Sequence, residues 1–442
     1  MTTKKKAAPA RKAHRQSHRQ AHHQAAIASA KSAARTSPVK TGAAGQPVFN
    51  QPAPSPDPTS FSKSVTDKNL KGILKLEPFP PSGPDPAVLV EPVLSLAQVY
   101  GSAGPGKEAA ITKAGQIVFH CVGDTGSVTG PQTQNLVADK MLTDFSEDNA
   151  ADVPSFFFHL GDVVYYFGEA TYYYDQFYEP YRDYPAPILA IPGNHDGVVY
   201  PNDAAQSLDA FVSNFCTPTP THNSDAGGLN RTTMIQPAVY FTFQAPFVRI
   251  FGLYSNVLED PGVISSQKGT SASNTVLDDR QLAFLTAGLA RVKSDAFTGA
   301  VIIATHHPPF TGDSEHGGSP LMLADIDACC TKAGVWPHAV FSGHAHNYQR
   351  YTRTVNGKQI PFIVAGCGGH NPLSPMRATL RTPYAISSTL TLNNVDDTDY
   401  GYTRVIVNTT TMTIEYHPQS DGGTTKTPDD SVTINLANYT VS

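Results

Sequence analysis

Three apolar runs between residues 116 and 196 constrain this chain more than anything else in it, because each ends in a glycine turn bearing a carboxylate or amide. QIVFHCVGDTGS, FFFHLGDVVYY and APILAIPGNHD have the length and the β-branched and aromatic content of buried strands. A helical stretch at 132–145 separates the first two, and an aromatic, helix-like region separates the second and third. Strand, helix, strand, helix, strand at these intervals predicts a βαβαβ unit with parallel strands and right-handed crossovers. In such sheets the polar groups at the strand carboxyl ends converge on one rim, where ligands bind. Asp124, Asp162, Asn194 and His195 all fall there.

The second half repeats the device with histidines. VIIATHHPPF delivers His306 and His307, and HAVFSGHAHNYQR delivers His344 and His346, each pair behind a short apolar strand. A helix at 321–333 is expected between those strands, and PFIVAG reads as one more strand. VYFTFQAPFVRIFGLYS reads as two antiparallel strands. DDRQLAFLTAGLARVKS reads as an amphipathic helix with Asp278 as N-cap and Gln281 three residues on. The Thr-rich alternation of YTRVIVNTTTMTIEYHPQ and SVTINLAN predicts an antiparallel ending. Residues 200–235 show no periodicity and are expected to form a surface loop near the rim.

Five motifs therefore line up at strand ends: Asp124-x-Gly126, Gly161-Asp162-x-x-Tyr165, Gly193-Asn194-His195-Asp196, His306-His307-Pro308 and Gly343-His344-x-His346. Singly, each has a bland reading as a turn, a cap or a pair of surface residues. In series they supply what a pair of metal ions requires. Two ions about 3.5–4 Å apart need a bridging carboxylate, and they clamp the attacking and leaving oxygens of an in-line displacement. Mixed oxygen and imidazole donors suit Fe, Mn or Zn better than Mg or Ca. The glycines let the turns bring those donors inward without a Cβ clash.

These motifs resemble those of the calcineurin-like metallophosphoesterases, and Tyr165, three residues after Asp162, makes the pattern similar to that of purple acid phosphatases. The resemblance covers roughly residues 115–410. It implies an α/β fold, a four-layer α/β/β/α sandwich of two mixed β-sheets built on βαβαβ units, with the metal site at strand carboxyl ends. By position it implies that Asp162 bridges two ions, that Asp124, Tyr165 and His346 complete one site holding Fe(III), and that Asn194, His306 and His344 complete the other, holding Fe(II), Zn or Mn. His195 matches the family's catalytic histidine. Glu315-His316-Gly317 matches a motif of its animal-type members, which makes His316 a second candidate for leaving-group contact. His307 is expected to support rather than ligate. The implied activity is hydrolysis of phosphate monoesters by a metal-bound hydroxide. A phosphodiesterase acting on cyclic nucleotides or glycerophosphodiesters is the alternative.

The 442 residues carry a net charge of −5, unevenly spread. Residues 1–50 hold ten Lys or Arg and no acid, which leaves 22 basic against 37 acidic residues in the remainder. An acidic body is a poor general binder of nucleic acid, so no specific nucleic-acid partner is expected beside the small phosphate ester. The basic segment is too low in complexity to fold alone, and it is expected to be a solvated tail or a tether to polyanions or a membrane surface. A polyanion-binding protein with a merely structural metal is therefore a reading from another class. Domains are expected at 1–58 (tail and Pro-rich linker), 59–114 (an extension packing on the catalytic domain) and 115–442 (catalytic). No apolar run approaches the roughly 18 residues of a membrane span, and no apolar segment follows the basic start as in a Sec signal. Cytoplasmic location is the default expectation, with export by another route the alternative; oligomeric state has no signature. Five cysteines, an odd number without a Cys-x-x-Cys pair, read as small buried apolar residues.

Overall fold

The computed structural model describes residues 91–198, 206–257, 259–266, 279–422 and 426–442. The expected tail, the linker and most of the expected 59–114 extension lie outside the described residues. The described chain opens with strand β1 (Val93–Ser95) and helix α1 (Gly104–Ala114), which Gly115 ends in the left-handed conformation at φ 77°. Then follow β2 (Gln116–Val122), helix α2 (Gln132–Thr143), β3 (Phe157–His159) and β4 (Ile188–Ala190). These three strands pair in parallel, His120 opposite Phe157 and Phe157 opposite Ile188. Between β3 and β4 the tyrosine-rich segment forms a 3-10 turn and a π-helical turn rather than a regular helix.

The chain continues through helix α3 (Asp209–Phe215), the antiparallel pair β5 (Phe241–Ala245) and β6 (Val248–Gly252), helix α4 (Arg280–Ser294), β7 (Ala300–Ala304), helix α5 (Pro320–Ala333) and β8 (Ala339–Ser342). Pro320 at the start of α5 and Gly334 at φ 69° just beyond it are the expected helix punctuation. Strands β9 (Tyr348–Val355), β10 (Lys358–Ala365), β11 (Tyr384–Ser387) and β12 (Leu390–Asp396) precede β13 (Gly401–Asn408), β14 (Thr411–Pro418) and β15 (Asp430–Asn435).

Two mixed sheets result. One runs β15-β14-β13-β2-β3-β4, in which β13 lies antiparallel to β2. The other runs β1-β5-β6-β7-β8-β10-β9-β12-β11, with β6, β7, β8 and β10 parallel. The short parallel strands are buried along their whole length, which is why they read as unbroken apolar runs. Residues of both sheets share one core: Phe156 meets Phe243 at 4.7 Å and Phe158 meets Phe241 at 6.1 Å between ring centroids. Each such ring contributes on the order of 1.5–3 kcal/mol by burial, so the two sheets hold each other and the loops at their strand ends are anchored.

Two local expectations fail, and a third falls outside the described residues. Residues 209–215, within the expected loop, form α3 because Phe211 and Phe215, a turn apart, both bury. Asp278 lies outside the described residues, and α4 starts at Arg280 behind Asp279. The Asp279 carboxylate accepts instead from the backbone and hydroxyl of Ser266 at 2.8 and 2.7 Å. Gln281 bridges the backbone of Tyr254 rather than closing a capping box. Among the described residues no helix is long and apolar enough to cross a membrane. All five cysteines are free thiols, four buried and Cys216 half-buried.

Candidate metal centre

The parallel strands stop abruptly, and the turns behind them do the positioning. Asp124, Asp162 and His344 sit two or three residues past β2, β3 and β8 with φ of 56°, 54° and 68°. Asp and His tolerate this left-handed region better than branched residues do, but it still costs on the order of 1 kcal/mol each. Three strained residues in three separate loops facing one another are the pattern of a functional site. Glycine is required beside them. A Cβ on Gly193 would stand 2.0 Å from Asp162 Oδ1, and one on Gly161, itself at φ 97°, would stand 2.8 Å from His306 Nδ1.

All nine residues singled out as catalytic or metal-binding come together. Around Asn194, the side-chain oxygen lies 3.0 Å from His306 Nε2 and 3.2 Å from His344 Nδ1. Around Asp124, Oδ1 accepts from the Tyr165 hydroxyl at 3.1 Å and lies 3.6 Å from His346 Nε2, which is 3.3 Å from the same hydroxyl. Asp162 reaches the first set through Oδ2, 3.3 Å from His306 Nε2. Asp162, His306 and His344 offer donor atoms that all lie within 4.8 Å of one another. His195 donates its backbone N–H to Asp162 Oδ1 at 3.0 Å, and its ring packs 4.5 Å from that of Tyr165. The His316 ring lies 4.8 Å from that of His344 and 5.0 Å from that of His346.

These donors fit metal ions on grounds of their own chemistry. His306 Nδ1 faces the Leu160 carbonyl at 2.9 Å, and because a carbonyl only accepts, that nitrogen carries the proton. Nε2 of the neutral ring is then a bare lone pair, facing the oxygens of Asn194 and Asp162. Lone pairs converge in a dry pocket only around a proton or a cation. Without a cation the protein must supply the proton. Burial alone would lower His306, but Asp162 and Asp124 outweigh it and push the ring up to about 9. Burial drives Asp124 up to about 7 despite the pull of His306, while His306 and His195 overcome burial to hold Asp162 below the carboxylate range. Burial and then the two carboxylates push the Tyr165 phenol well up, so only a cation would make it a phenolate. Asp162 Oδ2 and His344 Nε2 are buried without a hydrogen bond, two more atoms whose needs an ion or its shell would meet.

A supporting layer holds this cluster, and most of it has no signal in the sequence. Asp196 belongs to the GNHD motif, yet its role appears only here: its carboxylate accepts from the backbone of Gly193, Val163 and Val164. His307 supports, its Nδ1 lying 2.8 Å from the Ser255 hydroxyl and its ring 4.3 Å from that of His344. Glu259 accepts from Asn194 Nδ2 at 3.3 Å, and Asp260 lies 3.7 Å from His344 Nε2. The His370 ring packs 3.9 Å from Tyr165 and 4.3 Å from His346. Asp313, three residues before His316, contacts its ring nitrogen.

No curated protein sequence matches the chain. Among solved structures, GAP50, the anchor in the inner membrane complex of Plasmodium, aligns at 13% identity and a TM-score of 0.44 over 70% of this chain and 86% of its own. PhoD aligns at 14% and 0.44 over 74% and 71%, and a dimetal phosphatase from Danio rerio at 12% and 0.37 over 73% and 99%. The sequence profile of the calcineurin-like phosphoesterases matches residues 117–348, more than half of the chain and all nine candidate site residues. The chain belongs to the calcineurin-like phosphoesterase family, whose members hydrolyse phosphate esters with metal ions.

Proposed function

We propose that the protein is a phosphomonoesterase of the purple acid phosphatase type with two metal ions. The observation that carries this reading is the division of the donors into two sets, with the Tyr165 hydroxyl inside the Asp124 set at 3.1 Å. Asp162 would be shared, Asp124, Tyr165 and His346 would hold an Fe(III), and Asn194, His306 and His344 would hold Fe(II), Zn or Mn. Bound ions supply Lewis-acid polarisation of the phosphate and a nucleophile at mild pH. The chain's own histidines would handle the leaving group. His195 Nδ1 donates to the Tyr166 carbonyl at 2.9 Å, so Nε2 would be the nitrogen offered to the substrate. His316 is raised to about 9, because its hydrogen bond to Asp313 outweighs burial, so it would hold the proton a departing alkoxide needs. The buried position of both rings, 7% and 8% exposed, keeps that proton from bulk water.

The test is hydrolysis of p-nitrophenyl phosphate by metal-loaded protein at acid to neutral pH, with Asp162→Ala as the control. Turnover by the native protein that the variant lacks is the expected result, and equal rates would overturn the reading. Faster hydrolysis of bis-p-nitrophenyl phosphate than of the monoester would favour a diesterase instead.

A further inference from the structure

We propose that Asp313 is a positioning residue that aims His316 at the leaving group of the substrate. The inference rests on the phosphomonoesterase reading, and the residue has no place in the metal-ligand sets. Asp313 is fully buried at the tip of the loop that follows β7. Its Oδ1 accepts the backbone N–H groups of Glu315 and His316 at 2.6 and 2.8 Å and faces His316 Nδ1 at 3.2 Å. Oδ2 accepts from Asn347 Nδ2 at 2.9 Å. One carboxylate thus fixes the loop and the ring together. An ionised carboxylate can only accept, so the contact keeps one proton on Nδ1; the second proton of the imidazolium, on Nε2, would be the one passed to the departing oxygen.

The anchor is tied to the centre by the chain itself. Asn347 directly follows His346, and its side-chain oxygen accepts from Gln349 Nε2 at 2.8 Å. Gln349 Oε1 in turn accepts the backbone N–H of Gly312 at 2.8 Å. The loop bearing His316 is therefore pinned to the start of β9, whose preceding turn carries His344 and His346. Gly317 is held on the far side, its N–H donating to Asp260 at 2.9 Å. A proton donor must sit within hydrogen-bond reach of the departing oxygen, and displacements of about 1 Å cost about a hundredfold. A rigid route from Asp313 to the metal-binding turn meets that demand.

A leaving-group comparison on metal-loaded, full-length protein separates positioning from general support of the loop. p-Nitrophenolate departs without a proton, whereas an alkoxide needs one. For Asp313→Ala, kcat on glycerol phosphate is expected to fall about 10- to 100-fold, part of what a general acid supplies, with p-nitrophenyl phosphate changed less than about 3-fold. Asp313→Asn, which keeps an acceptor for the loop, is expected to fold where the alanine variant does not and to show the same selectivity in smaller degree. In a His316→Ala background the Asp313 substitutions are expected to change that selectivity no further. Equal losses on both esters, losses on neither, or full additivity with His316→Ala would overturn the proposal while leaving the phosphomonoesterase reading intact. Native protein inactive on both esters would remove both.

Discussion

Asp196 ties the loop after β4 to the loop after β3, its carboxylate oxygens lying 3.0 and 3.2 Å from the Val163 backbone nitrogen. It also accepts from Val164 and Gly193, so one carboxylate joins the segments carrying Asp162 and Asn194. Removing a buried acceptor from several N–H donors costs about 1–3 kcal/mol for each group left unsatisfied. Asp196→Ala is expected to lose at least about 3 kcal/mol in denaturant unfolding and about 10- to 100-fold in metal affinity. Asp196→Asn, which keeps one oxygen, should lose less of both. An alanine variant that binds metal as tightly as the native protein would show that the two loops are held by other means.

Gly193 tests how closely the loops approach. Its Cβ position, 2.0 Å from Asp162 Oδ1 and 2.5 Å from the Asp162 backbone nitrogen, cannot be filled unless the proposed bridging carboxylate moves. Gly193→Ala is expected to reduce kcat by about a hundredfold or more, with a circular dichroism spectrum unchanged from the native protein. Gly106→Ala, at an exposed position of α1 with nothing within 4 Å, serves as the control. It should leave activity unchanged and add about 0.5–1 kcal/mol of stability.

The convergence of His306 Nε2, Asn194 Oδ1 and Asp162 Oδ2 would make bound ions part of the fold's stability. A cation bound at a hundred times its dissociation constant stabilises by about 2.7 kcal/mol. Chelation is expected to lower Tm by several degrees, and adding Fe, Zn or Mn should restore it. Under the proposed ligand set, Tyr165→Phe should abolish a visible tyrosinate-to-iron absorption in iron-loaded protein while leaving the fold intact. A Tm indifferent to chelator would mean that protons alone satisfy those lone pairs.

Far from the centre, Asp144 sets part of the pH dependence of stability. Burial would raise its carboxyl, but hydrogen bonds from His120 at 2.9 Å and Lys426 at 2.6 Å hold it below the usual range. A depressed carboxyl stabilises above its unfolded pKa, near 3.9, and that contribution is lost as pH falls toward the folded value. His120, which burial lowers, works in the same sense from about pH 6.5 downward, since the unfolded chain takes up its proton first. The contribution of the Asp144–His120 pair should therefore decline from about pH 6.5 and fall more steeply below about pH 4. Asp144→Asn should cost about 1–3 kcal/mol at pH 7, with the difference from native protein shrinking below about pH 4. A constant difference across that range would contradict the assigned role.

Much of this molecule could be read from residues alone. The strands β2, β3, β4, β7 and β8 announce themselves as short apolar runs, since a strand buried on both faces has no polar alternation. The donors follow from local chemistry too, because a Gly-Asp or Gly-His turn must sit next to the strand it ends. Such signals are encoded within a few residues, and so the parallel strands and the donors from Asp124 to His346 were legible, whereas the two mixed sheets were implied only by the family resemblance. Helix α3 was not, since two phenylalanines in a polar segment are too few for a periodic signal. Strands β11 and β12, on an exposed edge, carry equally little apolar pattern. Asp196 could be seen but not its role, which depends on backbone donors some thirty residues away. Glu259, Asp260, Asp313 and His370 could not be seen, because a carboxylate or imidazole in a loop has no meaning until the sheets bring that loop to the centre. The sequence by itself determined which atoms could bind a metal and which strands would carry them. Only the tertiary structure decided which second residue holds each of them in place, because those partners meet across sheets through contacts that no local pattern encodes.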